Sequence, residues 1–144
     1  MQEILDKSHV LMQRYLINKN TKERVKFRKV HVVPSELGQT DSEVNKWIDD
    51  NRPNIEEIKN ITYVCLPSGN STINTKVIID YVENKSKDVQ HTTNIKVKEV
   101  VSSEKDINDF LSASPVDDIG GIRIVDLSAV KGSDYIAALI DYNV

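Results

Sequence analysis

A chain of 144 residues, 39% of them hydrophobic, is the size of one compact domain and can bury roughly two thirds of its unfolded surface without covalent staples. Its single cysteine, Cys65, excludes an internal disulfide framework and any Cys-x-x-Cys metal site, and suits a reducing, cytoplasmic compartment. A formal charge of −3 argues against extended nucleic acid as a partner, no apolar run is long enough to span a membrane, and the opening Met1-Gln2-Glu3 does not read as a secretory signal.

The charge is uneven. Residues 1 to 31 hold eight Lys/Arg against three Asp/Glu, and the remainder holds eleven against nineteen. In residues 1–24, Ile4, Leu5, Leu11, Met12, Tyr15 and Leu16 fit a helical stripe, while Leu11 to Ile17 followed by Asn18-Lys19-Asn20-Thr21 also reads as a strand and turn; a short helix and then a hairpin is expected. A strand follows from Val25, with Val25 and Phe27 on one face and Val30 and Val32 on the other, a slip in alternation that predicts a bulge near Arg28-Lys29. Thr40-Asp41-Ser42-Glu43 has the form of a capping box, and Val44, Trp47 and Ile48 then make one apolar helical stripe that Pro53 ends. Ile61 to Leu66 and Thr75 to Val82 form an antiparallel hairpin about Pro67-Ser68-Gly69-Asn70. Residues 83–94 are polar and read as a linker.

The same order then returns. Ile95-Lys96-Val97-Lys98-Glu99-Val100 answers Val25 to Val30, with a second slip near Lys98-Glu99. Ser103-Glu104-Lys105-Asp106 is a weaker capping box before the stripe of Ile107, Phe110 and Leu111, and Pro115 stops that helix. Ile122 to Val130 and Tyr135 to Tyr142 form the second hairpin, about Lys131-Gly132-Ser133-Asp134, and Ile140-Asp141-Tyr142 repeats Ile79-Asp80-Tyr81. The chain is therefore a duplicated βαββ unit, residues 25–82 and 95–143, within a single domain spanning 1–144. The expected fold class is α+β, a six-stranded, mostly antiparallel sheet with two helices on one face, related by a pseudo-twofold axis. Apolar residues on the second face predict a homo-oligomer, a dimer or higher.

No residue set announces a reaction. His9, His31 and His91 form no triad pattern with a nucleophile, no ligand spacing suggests a metal, and the glycines make no phosphate loop, so neither an enzyme nor a cofactor is expected. Asp80 and Asp141 stand at matching places and are read as turn or edge-strand hydrogen-bonding devices rather than as an acid–base pair. The cations are the chemistry on offer: Arg24, Lys26, Arg28 and Lys29 lie in one strand, and Arg presents a bidentate fork to phosphate oxygens. A solvated strand face is the ordinary alternative. Repeat positions that differ are free to serve a task, as with Phe27, Lys29 and His31 against Val97, Glu99 and Val101, and Thr62 against Arg123.

The segment from Ile95 through Ile124-Val125-Asp126-Leu127 to Ile140-Asp141-Tyr142 resembles the small sporulation-associated proteins of Bacilli and their phages, about one such βαββ unit long. The whole chain is similar in length to the Thoeris anti-defence sponge proteins of phages, which sequester cyclic ADP-ribose-type signals in pockets shared between protomers. What the second resemblance implies is a non-enzymatic phage anti-defence protein that binds a small nucleotide immune signal, cyclic ADP-ribose type or cyclic oligonucleotide, at a protomer boundary in the host cytoplasm. The candidate ligand-binding residues are Arg28, Arg123, Arg24, Lys29, His31, Tyr81 and Tyr142. A protein-interaction or inhibitor module without a small-molecule ligand is the alternative.

Overall fold

A computed structural model of the chain describes residues 27–68, 72–84 and 94–144. The expectations for residues 1–24, for most of the linker and for Arg24, His9 and His91 lie outside the described residues. The class is α+β. The first unit comprises β1 (Phe27–Glu36), α1 (Thr40–Asn51), β2 (Ile55–Pro67) and β3 (Ile73–Glu83); the second comprises β4 (Ile95–Ser102), α2 (Glu104–Ser112), β5 (Ile119–Asp126), the single turn α3 (Ser128–Lys131) and β6 (Ile136–Asn143).

The single six-stranded sheet is corrected: the strands form two three-stranded antiparallel sheets of orders β1-β3-β2 and β4-β6-β5. In each unit the last strand inserts between the first two, because the hairpin pairs it with β2 or β5 and the helical crossover leaves its other edge to β1 or β4. The two aromatic pairs match as well, Trp47 edge-on to Tyr81 at 5.4 Å and Phe110 edge-on to Tyr142 at 5.8 Å.

Nor are the units side by side about a twofold axis. One core joins Val33, Val77, Ile79, Ile61 and Tyr63 of the first sheet, Val44 and Ile48 of α1, Val97, Ala137 and Leu139 of the second sheet, and Leu127 just beyond β5. A second core places Val100, Ala138 and Ile140, on the opposite face of the second sheet, against Ile107 of α2. The layers run from the open face of the first sheet to α1 and the second sheet lying together, and then to α2. The helix-bearing front of unit one thus receives the back of unit two.

The slips in alternation are not bulges. Registers β1–β3 and β4–β6 are continuous, and the irregularities lie in β2, at Ile55/Glu57 and Ile58/Asn60, and in β5, at Ile119/Ile122. Both faces of β4 are covered, so Val100 and Val101 are adjacent apolar residues facing different cores. Register also corrects the pairing of the repeats: Asp80 stands opposite Val30 and Asp141 opposite Val97, so Val30, not Phe27, answers Val97, a shift of three residues.

The capping expectations divide. Ser103 caps α2, accepting from the Asp106 N–H at 3.3 Å, and the Ser102 and Ser103 hydroxyls hold the Asp106 carboxyl below the usual carboxylate range. At α1 the cap position is Gln39, without a side-chain bond; the Thr40 hydroxyl is turned inward to Glu36 O and to Thr75 Oγ1 at 2.7 Å. The strand expected to run to Val130 ends at Asp126, whose carboxylate accepts from Ser128 N–H and bends the chain into α3.

Candidate functional site

Successive strand residues point to opposite faces, and this divides the expected site. Arg28, on the open face of the first sheet, forms a two-toothed pair with Asp80 through Nε at 2.8 Å and through NH2. The hydrogen bonds from Arg28 hold the Asp80 carboxyl below the usual range. Because the folded value is depressed, the stability this pair supplies is present above about pH 4 and lost as pH falls through the folded value. Arg28→Ala is expected to return the Asp80 carboxyl toward its ordinary value in an NMR titration, and an unmoved Asp80 would show that the pair does not form in solution.

Lys29 and His31 lie on the other face of β1. The Lys29 ammonium meets Glu83 at 3.2 Å, the His31 ring stacks on Trp47 of α1 at 4.4 Å and 6°, and Trp47 leans its edge on Tyr81, directly opposite Lys29 in the register. Lys29, His31 and Tyr81 are thereby gathered at one end of β1 and β3, and Trp47 completes the group. The helical stripe marked Trp47 as core, and only docking of α1 brings it to the histidine.

Arg123 and Tyr142 belong elsewhere. Tyr142 packs on Phe110 in the second unit. Arg123 reaches from β5 to the first unit: its Nε donates to Ile61 O, and its NH1 donates to Gly121 O at 3.0 Å and pairs with Asp141 at 2.6 Å. A Cβ on Gly120 would run into the Asp141 carboxylate, and one on Gly121 would lie 2.7 Å from the Arg123 guanidinium, so the Gly-Gly pair makes room for this ion pair. Asp80 and Asp141 are each matched to an arginine, but in the central strands β3 and β6 rather than at a turn or an edge strand.

The polar residue sequence reasoning missed is Glu99. It is buried, and its carboxylate accepts from Gly38 N–H at 2.8 Å, Thr40 N–H at 3.1 Å and the Tyr63 hydroxyl at 2.6 Å. Two of these donors open α1, where unpaired N–H groups and the helix dipole favour an anion. Burial and the Glu99 contact push the Tyr63 hydroxyl well above its ordinary value, which keeps it a donor. Alternation between Val97 and Val101 was the available signal, since it places Glu99 inward.

Asp41 and Asn45 of α1 complete the contact. Asp41 accepts from Glu99 N–H at 3.1 Å, and Asn45 both donates to Val97 O at 2.9 Å and accepts from Val97 N–H at 2.8 Å. Four helical residues rise about 6 Å and two strand residues about 6.7 Å, so these side chains match the open edge of β4.

One cleft, of about 370 Å³, opens between the units, lined by Glu36, Gly38, Ile73, Val101, Lys131 and Tyr135. It lies at the far end of β1 from Lys29, seven residues or roughly 23 Å along the strand. Burial pushes the Cys65 thiol up, away from a nucleophilic thiolate. Among the described residues no group of three His, Cys, Asp or Glu converges as a metal site, and no helix is long and apolar enough to cross a membrane.

No family model, curated protein or solved structure matches the chain.

Proposed function

We propose that the protein is a non-catalytic binder that sequesters a small phosphate-bearing nucleotide, of the cyclic ADP-ribose or cyclic oligonucleotide type, in a phage anti-defence role. The observation that carries this reading is the grouping of Lys29, His31, Trp47 and Tyr81 at one end of β1, the strand entered by the chain's cationic first segment. Flat rings supply stacking surface for a base, and the Lys29 ammonium on the same face supplies a donor for phosphate. Lys29 is already paired with the largely buried Glu83 carboxylate at 3.2 Å, and a bound phosphate shares the ammonium with it.

Calorimetry with cyclic nucleotides and cyclic ADP-ribose isomers tests this, followed by heating and chromatography of what is released. Intact nucleotide is expected, and Lys29→Ala is expected to weaken binding roughly ten- to a hundredfold, while Lys105→Ala on the exposed face of α2 leaves it unchanged. Altered nucleotide would make the protein an enzyme, and no retention at all would hand the function to the second reading, a protein-docking module. That reading is favoured by the exposed apolar side chains of Val30, Val32 and Leu66.

A further inference from the structure

We infer that the chain associates with copies of itself head to tail, the front of unit two in one copy docking on the open back of unit one in the next, by a repetition of the packing that already joins the two units within the chain. This rests on the intrachain interface and is independent of the nucleotide reading.

Registers give the correspondence. Ile61 and Tyr63 stand opposite Ile79 and Val77, and Ile122 and Ile124 stand opposite Ile140 and Ala138, so Ile122 and Ile124 hold in unit two the places of Ile61 and Tyr63. Ile61 and Tyr63 are 2% and 7% exposed because the back of unit two lies on them; Ile122 and Ile124 are 44% and 58% exposed. On the complementary side Val97 is 1% exposed, and its counterpart Val30 is 64% exposed. The two ends of the molecule therefore carry the two halves of an interface whose closed form sits in its middle.

The polar details follow the same correspondence. Asn45, which holds both backbone groups of Val97, follows the core residue Val44 as Asn108 follows Ile107, and Asn108 is exposed on α2. It is placed to take the matching edge of β1 at Val30. Val32 holds the place of Glu99, each standing opposite the counterpart residues Ile78 and Leu139. The buried Glu99–Tyr63 hydrogen bond would thus be replaced in the intermolecular contact by Val32 on Ile124. The carboxylate and the hydroxyl of that pair are exchanged for apolar groups together, so neither is left buried without the other. The Arg123 link, whose place is Thr62, and the contacts of Glu99 with the backbone N–H groups of Gly38 and Thr40 have no counterpart, so association is weaker than the packing within the chain.

Such an interface is heterologous, and copies add until a ring closes or a filament grows. Sedimentation from low to high micromolar concentration is expected to show species above the 16.3 kDa chain that enlarge with concentration. Val32→Asp and Ile124→Asp, both at exposed positions and checked for an unchanged circular dichroism spectrum, are each expected to weaken association at least tenfold. Mixed in equal amounts they retain one intact pair of faces and are expected to form a dimer that grows no further. Asn108→Ala is expected to weaken association without introducing charge. A chain that remains a monomer throughout overturns the inference, as does a mixture of the two aspartate variants that stays monomeric, or a twofold dimer abolished by only one of them.

Discussion

Glu99→Ala is expected to lower the stability of the protein by about 4 kcal/mol and its Tm by roughly 10 °C. The substitution removes the one acceptor shared by Gly38 N–H, Thr40 N–H and the Tyr63 hydroxyl, and leaves those donors facing the core between the units. It also removes the anion that offsets the N-terminal end of α1, which has no side-chain cap of its own. Glu99→Gln keeps an acceptor for the two backbone donors and is expected to cost only about 1 kcal/mol. Tyr63→Phe is expected to be less harmful in the Glu99→Ala background than in the wild type, since the orphaned hydroxyl is gone. Urea unfolding of the four variants checks this. Costs for Tyr63→Phe that simply add to those of Glu99→Ala would show that the two side chains do not share a hydrogen bond.

Arg123→Ala is expected to cost about 3 kcal/mol. The guanidinium joins three acceptors at this place, Ile61 O of unit one and Gly121 O and the Asp141 carboxylate of unit two. Without it Asp141, which is buried, keeps the Gly121 N–H but loses its cation. Arg123→Lys is expected to recover less than half of the loss, because one ammonium on a flexible stem does not reproduce the planar fork. Asp141→Asn in the Arg123→Ala background is expected to restore part of the stability by removing the unpaired charge. Thermal unfolding measures all three, and an Arg123→Ala protein as stable as the wild type would show that the link between β5 and Ile61 is not formed in solution. By contrast Lys105→Ala, which breaks an exposed pair with Asp109 within α2, is expected to change stability by no more than about 0.5 kcal/mol.

These two residues also mark how far the chain could be read from its letters. Local order was legible: the spacing of Val44, Trp47 and Ile48 and of Ile107, Phe110 and Leu111 predicts both helices, Pro53 and Pro115 mark their ends, and the β-branched runs on either side predict the hairpins. The return of that order along the chain predicts two like units, because side-chain periodicity and turn chemistry are properties of neighbours in sequence.

What lies between the units was not legible, and for a physical reason. A strand apolar on both faces has the same pattern whether its second face meets a helix, another sheet or another molecule, so Val30 and Val97 look alike in sequence although one is open and the other enclosed. Only the tertiary structure decided that the back of unit two rests on the front of unit one. That choice turned Arg123 from a candidate ligand-binding cation into a link between the sheets, and Glu99 from a strand carboxylate into the anion at the start of α1. It also gathered Lys29, His31 and Tyr81 about Trp47, while setting Arg28 on the opposite face of the same strand.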